Sequence, residues 1–212
     1  MVDVTLGKNL TKLGDYAFSY CKKMANIVIP AKVSYIGTYS FENCDNLTTI
    51  TIPNSVTTIG DAAFEECDNL TSVTIGKRVQ TIGSYSFNRC TKLSSVTIGS
   101  SVTTINDYAF CYCSSLTSIT IPASVIEIGK GAFEDCSALK TIYCKPTTPP
   151  AIYYYDSYNS ADSYSFPKNS GMKIFVPRAS YDLYMQYSST VSYSTDPRNW
   201  YSFESYIEAY DF

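Results

Sequence analysis

Eight cysteines, no histidine and many threonines and serines set the chemistry open to this chain of 212 residues. Without histidine, neither a Ser-His-Asp nor a Cys-His nucleophile can be assembled, and nearly all zinc catalysis is lost. An acid–base mechanism would rest on paired carboxylates or a lysine base, yet the acidic residues fall mostly at capping or exposed turn positions. Cys111, Cys113, Cys136 and Cys144 would make a four-thiolate zinc set, but Cys113 and Cys136 belong to a core column and point along it. Neither a phosphate-cradling glycine loop nor a calcium loop is present. The expectation is a binding or structural protein with no cofactor rather than an enzyme.

What must position any binding residues is a repeat. Phe18, Phe41, Phe64, Phe87, Phe110 and Phe133 recur every 23 residues, and Cys21, Cys44, Cys67, Cys90, Cys113 and Cys136 keep the same interval. A strict period of this length means stacked coils, each burying its apolar face against the next. Aligned on phenylalanine, six coils run 4–26, 27–49, 50–72, 73–95, 96–118 and 119–141, with a seventh strand opening at Ile142. In the third coil the unit reads Ile50-x-Ile52-Pro53, Val56, Ile59-Gly60, Ala63-Phe64, Cys67 and Leu70.

Ile50 and Ile52 alternate with Thr51, the period of a strand with one buried face. Val4, Ile27, Ile50, Val73, Val96, Ile119 and Ile142 therefore form one inward column of a parallel sheet. Gly14, Gly37, Gly60, Gly83 and Gly129, with Asn106, are expected at positive φ. Asp15, Thr38, Asp61, Ser84 and Asp107 are expected to cap a single helical turn carrying Ala-Phe-x-x-Cys, and Lys130, which breaks that pattern, to let the sixth turn fray. The recurring cysteines read as buried free thiols, since equivalent side chains on successive coils point the same way. Cys144 falls at an inward strand position, whereas Cys111 aligns outward and is expected to be the most reactive thiol.

Leu47-x-x-Ile50-x-Ile52 and its repeats at Leu70, Leu93 and Leu116 resemble the strand segment of leucine-rich repeats. The full unit, with Ile-Pro, Val-x-x-Ile-Gly, Ala-Phe and Cys, resembles the BspA-like leucine-rich repeat family across residues 4–145. That resemblance implies a leucine-rich-repeat solenoid with a parallel β-sheet on one face and short helical turns on the other. It also implies a cell-surface or secreted protein that adheres to a protein or glycan of host or neighbouring cells. The domain expectation is a solenoid over 1–145 and an α+β cap over 146–212, with a strand at 174–177, a short helix at 179–187 and a closing aromatic segment at 200–210. An alternative role is a spacer displaying another domain of a larger surface protein.

The candidate ligand-binding face is a lattice of outward side chains: Thr49, Thr51, Ser72, Thr74, Ser95, Thr97, Ser118, Thr120 and Tyr143. Its columns repeat about 4.8 Å apart between coils. Threonine also suits a soluble strand without any ligand. A Thr-x-Thr array resembles that of some antifreeze proteins, although curvature and the polar mixture work against ice. Twelve of the 20 tyrosines follow Lys145, and Tyr153, Tyr154, Tyr155 and Tyr158 form a candidate aromatic contact loop or pack the cap.

A net charge of −3 with scattered lysine and arginine leaves no basic stripe for nucleic acid. Asn9, Asn46 and Asn69 open glycosylation sequons, but each encloses a core leucine. No segment is apolar for long enough to cross a bilayer, and the first residues lack the features of a signal peptide. The natural protein is expected to continue N-terminally, with any signal or anchor outside these residues.

Overall fold

The computed structural model describes residues 2–152, 154–157, 160–189 and 200–212, with side chains throughout except at 154–163, 187–189 and 201–202. The period of 23 becomes a parallel β-solenoid. Two ladders run along it, the first in three separate stretches and the second unbroken. Longer strands, among them Thr49–Thr51, Ser72–Thr74, Ser95–Thr97, Ser118–Ile121 and Thr141–Cys144, build the first. The second is a seven-stranded parallel sheet of two-residue strands from Lys12–Leu13 to Ala151–Ile152. Ile59 pairs with Ile82, and Ile82 with Ile105, each in strict register.

The inward column lies as the alternation requires, with Ile50, Val73, Ile119 and Ile142 buried and Val4 and Val96 half-buried. Between the ladders the phenylalanine rings stack in one continuous pile, 4.9 to 5.5 Å apart, from Phe18 to Phe133 and on to Phe166. The Ala63 position is filled by serine at Ser40 and Ser86, whose hydroxyls are buried with no hydrogen-bond partner.

The stretch expected to be a helical turn is not helical. Alternate N–H groups leave the coil: Phe41 N donates to Ala63 O at 2.7 Å and Asn43 N to Glu65 O at 2.8 Å, while Glu42 N closes a turn on Tyr39 O. Threading this ribbon puts Tyr16, Tyr20, Tyr39, Asn43, Ala62 and Glu66 at positive φ, with the pattern continuing to Asp135. The repeating glycines are not left-handed. A Cβ on Gly60 would lie 2.6 Å from Thr38 N, and one on Gly83 the same distance from Gly60 C and O. Glycine is there because two backbones touch, and Gly14, with nothing within 4 Å, is the exception that marks the first coil.

The predicted caps also act between coils. Asp15, Asp61 and Asp107 each accept through Oδ1 from the backbone N–H of the next coil, at Thr38, Ser84 and Lys130, all at 2.8 Å. Lys130 is thus held as firmly as Thr38 and Ser84, and the sixth turn has no cause to fray.

Past residue 145 the sheet continues. Lys173–Pro177 pairs in parallel with Thr141–Cys144, and Ile207–Tyr210 pairs with Lys173–Pro177. Helix Tyr181–Ser189, led by a 3-10 turn at Arg178–Ser180, covers the end of the core. Tyr184 Oη donates to Pro146 O at 2.8 Å and Trp200 Nε1 to Pro150 O at 3.0 Å, so two buried rings satisfy the carbonyls of the proline-rich exit. The 3-10 turn Tyr201–Tyr206 follows Trp200.

Two substitutions test this account. Ser86→Ala should hold or raise the urea midpoint, because an orphaned buried hydroxyl costs about 1 kcal/mol or more. Gly83→Ala should lower it clearly, since its Cβ meets backbone rather than a movable side chain.

Candidate ligand-binding face

The long strands bring the predicted lattice together. Thr49 sits opposite Ser72, Ser72 opposite Ser95, and Thr51, Thr74 and Thr97 form the parallel row. Ser118 and Thr120 pair with Thr141 and Tyr143 in a second stretch of sheet, which is separate from the first in its strand bonding. Ser72 and Tyr143 are half-buried and the other seven predicted residues are exposed.

Several hydroxyls on the connecting turns are committed: Thr57 Oγ1, Thr71 Oγ1 and Thr103 Oγ1 each donate to a backbone carbonyl of the preceding coil. Among the described residues the eight serine and threonine hydroxyls of the lattice make no side-chain hydrogen bond. Beside Thr51, Thr74 and Thr97 runs an open groove of about 470 Å³, walled by Ile52, Ile75 and Ile98 and crossing Pro53, Gly76 and Gly99. Sequence reasoning missed this groove. Its signal was the pair of glycines that breaks the Ile-Pro pattern of Pro30, Pro53 and Pro122. A Cβ on Gly76 would lie 2.5 Å from Pro53 O, so the coils touch there.

Val28, at the outward position equivalent to Thr51 near the other end of the face, is 79% exposed. Tyr143 is not alone, for its ring stacks on Phe175 at 5.4 Å and meets Tyr210 and Phe212 edge-on. The alternation Ile174-Phe175-Val176, which turns Phe175 to the face of Tyr143, was a legible cue. Of the candidate aromatic loop, Tyr153 and Tyr158 lie outside the described residues. Tyr154 and Tyr155 belong to an antiparallel pair, Tyr154–Ser157 with Ser160–Tyr164, described in backbone only.

The outward placement of Cys111 is overturned. It is 4% exposed, and burial first, then Glu134, Cys136 and Asp135, push its thiol up to about 12. Alternation fails there because the ribbon is a series of turns rather than a strand. Cys144 is buried as expected, its thiol pushed up to about 12 by burial. The column cysteines are free and act as donors, with Cys44, Cys67, Cys90, Cys113 and Cys136 giving S–H to a phenylalanine carbonyl of the coil before, at 3.1 to 3.3 Å. Among the described residues no group of three or more cysteines or carboxylates is gathered to hold a metal.

Residues 1–117 and 57–175 match the family described as "BspA type Leucine rich repeat region", in six copies, and the chain belongs to that family. It is similar to the crystal structure of a leucine-rich cell surface protein from Faecalibacterium prausnitzii. The two are 29% identical with a TM-score of 0.65, over 85% of this chain and 56% of that one. A leucine-rich repeat protein from Eubacterium ventriosum is 27% identical, with a TM-score of 0.52 over 74% of this chain and 45% of that one. This chain thus spans about half the length of each. The pneumococcal vaccine antigen PcpA shares the fold, at 13% identity and a TM-score of 0.51 over 99% of this chain and 66% of that one. No curated protein matches significantly. No described helix is long and apolar enough to cross a membrane.

The thiols yield two expected outcomes. In the native protein only half-buried Cys21 should react with an aromatic disulfide reagent, and labelling of Cys111 before unfolding would contradict its placement. Because burial raises the thiols of Cys111 and Cys144 from 9.0 to about 12, the folded chain retains protons that the unfolded chain loses. Their contribution to stability should be complete below pH 9.0 and vanish as pH climbs through about 12, read as a falling urea midpoint.

Proposed function

We propose that this chain is a non-enzymatic recognition module of a cell-surface or secreted protein, which binds a host or neighbouring-cell protein or glycan through the outward face of its long strands. The observation that carries this reading is the contrast among hydroxyls. Several on the connecting turns, such as Thr57, Thr71 and Thr103, bond the preceding coil, while the eight serine and threonine hydroxyls of the lattice serve no internal bond and three of them, on Thr51, Thr74 and Thr97, border an open groove. A repeated surface of weak donors and acceptors suits a broad partner held by many small contacts. Family membership and the similarity to a cell surface protein support the location. Residues 146–212 act in this reading as the cap of a solenoid over 1–145, and Tyr153, Tyr154, Tyr155 and Tyr158 as an accessory contact.

Thr74→Lys combined with Thr97→Lys tests it. Both positions are exposed, so the fold should shift by no more than about 0.5 kcal/mol each. Screened against matrix proteins and a glycan array, the parent should bind and the variant should not. If neither binds while both are folded, the face is not a recognition surface and the spacer role takes its place.

A further inference from the structure

At the C-terminal end of the sheet face, aromatic rings gather on the solvent side rather than in the core. Tyr210 packs against Phe175 at 5.3 Å and Phe212 at 5.2 Å, beside the Tyr143–Phe175 stack. Tyr210 is 42% and Phe212 51% exposed, although the neighbouring Phe166, Tyr184, Trp200 and Phe203 are buried. Core packing therefore does not account for these two rings.

They line an open pocket of about 430 Å³ that also carries Lys145, Arg178 and Asp211. Arg178 Nε donates to both oxygens of Asp211, at 2.9 and 3.0 Å, which fixes a guanidinium and a carboxylate at the rim. Lys145 Nζ stands 5.4 Å from the Phe212 ring centre and forms no ion pair among the described residues.

Aromatic faces carry partial negative charge and accept the slightly positive C–H face of a pyranose, while a fixed guanidinium–carboxylate pair offers donors and acceptors to its hydroxyls. The unpaired ammonium adds attraction for an anion. We infer that this pocket binds an acidic sugar at a glycan terminus, a pyranose bearing a carboxylate. The inference deepens the reading of the sheet face as a recognition surface and rests on it, naming the ligand class for its aromatic end.

The test titrates the intact chain with glycans ending in N-acetylneuraminic or glucuronic acid and with neutral galactose-ended counterparts. The variants are Tyr210→Ala, Lys145→Gln and, as control, Ile126→Ser at an exposed site away from the pocket. Acidic glycans should bind in preference. Tyr210→Ala should weaken them about tenfold or more, Lys145→Gln should cut the acidic-over-neutral preference roughly threefold, and Ile126→Ser should match the parent. Equal binding of acidic and neutral glycans, or unchanged binding by Tyr210→Ala, overturns the assignment. A chain that ignores glycans but binds a protein, and loses it on Thr74→Lys with Thr97→Lys, overturns the pocket and leaves the face reading standing. Failure to bind either class removes both.

Discussion

The constraint on which the structure depends is that each coil must satisfy its backbone through its neighbours along two ladders and a ribbon at once. The two-residue strands pair coil to coil, the long strands do so on the adjacent side, and alternate N–H groups of the ribbon reach the next coil. These lines of hydrogen bonds, the long-strand ladder in three stretches and the two-residue ladder unbroken, fix the separation of the coils, so equivalent residues meet their own kind. Where the coils meet through backbone, as at Gly60 on Thr38, no side chain fits. Where they meet through side chains, the volume must repeat, and the phenylalanine pile results. The cysteines answer the same demand. A phenylalanine carbonyl already accepts from the cysteine N–H of its own coil, as Phe41 O does from Cys44 N at 3.3 Å. The thiol of the next coil, Cys67, then fills the second lone pair with a donor that is cheap to desolvate.

This arrangement carries strain, and the strain is distributed in a way sequence rules do not anticipate. Left-handed φ falls on tyrosine, alanine, glutamate and arginine, residue types that disfavour it by about 1 kcal/mol or more. Each such residue donates its N–H across the coil boundary, as Tyr39 does to Asp61 O at 2.9 Å, and that ladder bond requires the reversed twist. Several recover part of the cost through side-chain contact. Tyr16 stacks on Tyr39 at 5.1 Å and Tyr85 on Tyr108 at 5.0 Å, while the Arg89 guanidinium lies 5.0 Å from the Tyr112 ring.

The pattern of successes and failures in reading the sequence follows from the same geometry. Columns such as Ile50 and Val73 were legible because a strand alternates by two and a solenoid repeats by 23, so any phase error would have been visible in every coil. The ribbon was misread because its residues follow neither a helical nor a strand period. Asp15 and Asp61 then looked like caps of their own coil, and Cys111 looked exposed by analogy with a strand. Glycine drew the usual inference of positive φ, but its other property, the absence of a Cβ, was the one in use. In the C-terminal region no period remained to count. Even so, Phe166 and Ile174 hold the phenylalanine and inward-strand positions, separated from Phe133 and Ile142 by the inserted antiparallel pair.

The candidate face was legible for a related reason. A position free of any structural duty is recognised only against positions whose duty is known, and repetition supplies that comparison. Thr57 and Thr71 recur on turns and bond to the coil before, whereas Thr51 and Thr74 recur on strands and bond to nothing. β-propensity alone would account for threonine at outward strand sites, but it is silent on a groove made by replacing proline with Gly76 and Gly99 in two adjacent coils. It is equally silent on exposed rings at Tyr210 and Phe212 next to a cap that buries its other aromatics. Both departures lie along the same side of the solenoid as the free hydroxyls. A surface chosen only for solubility would have no reason to place a groove and an aromatic rim there, and a recognition surface would.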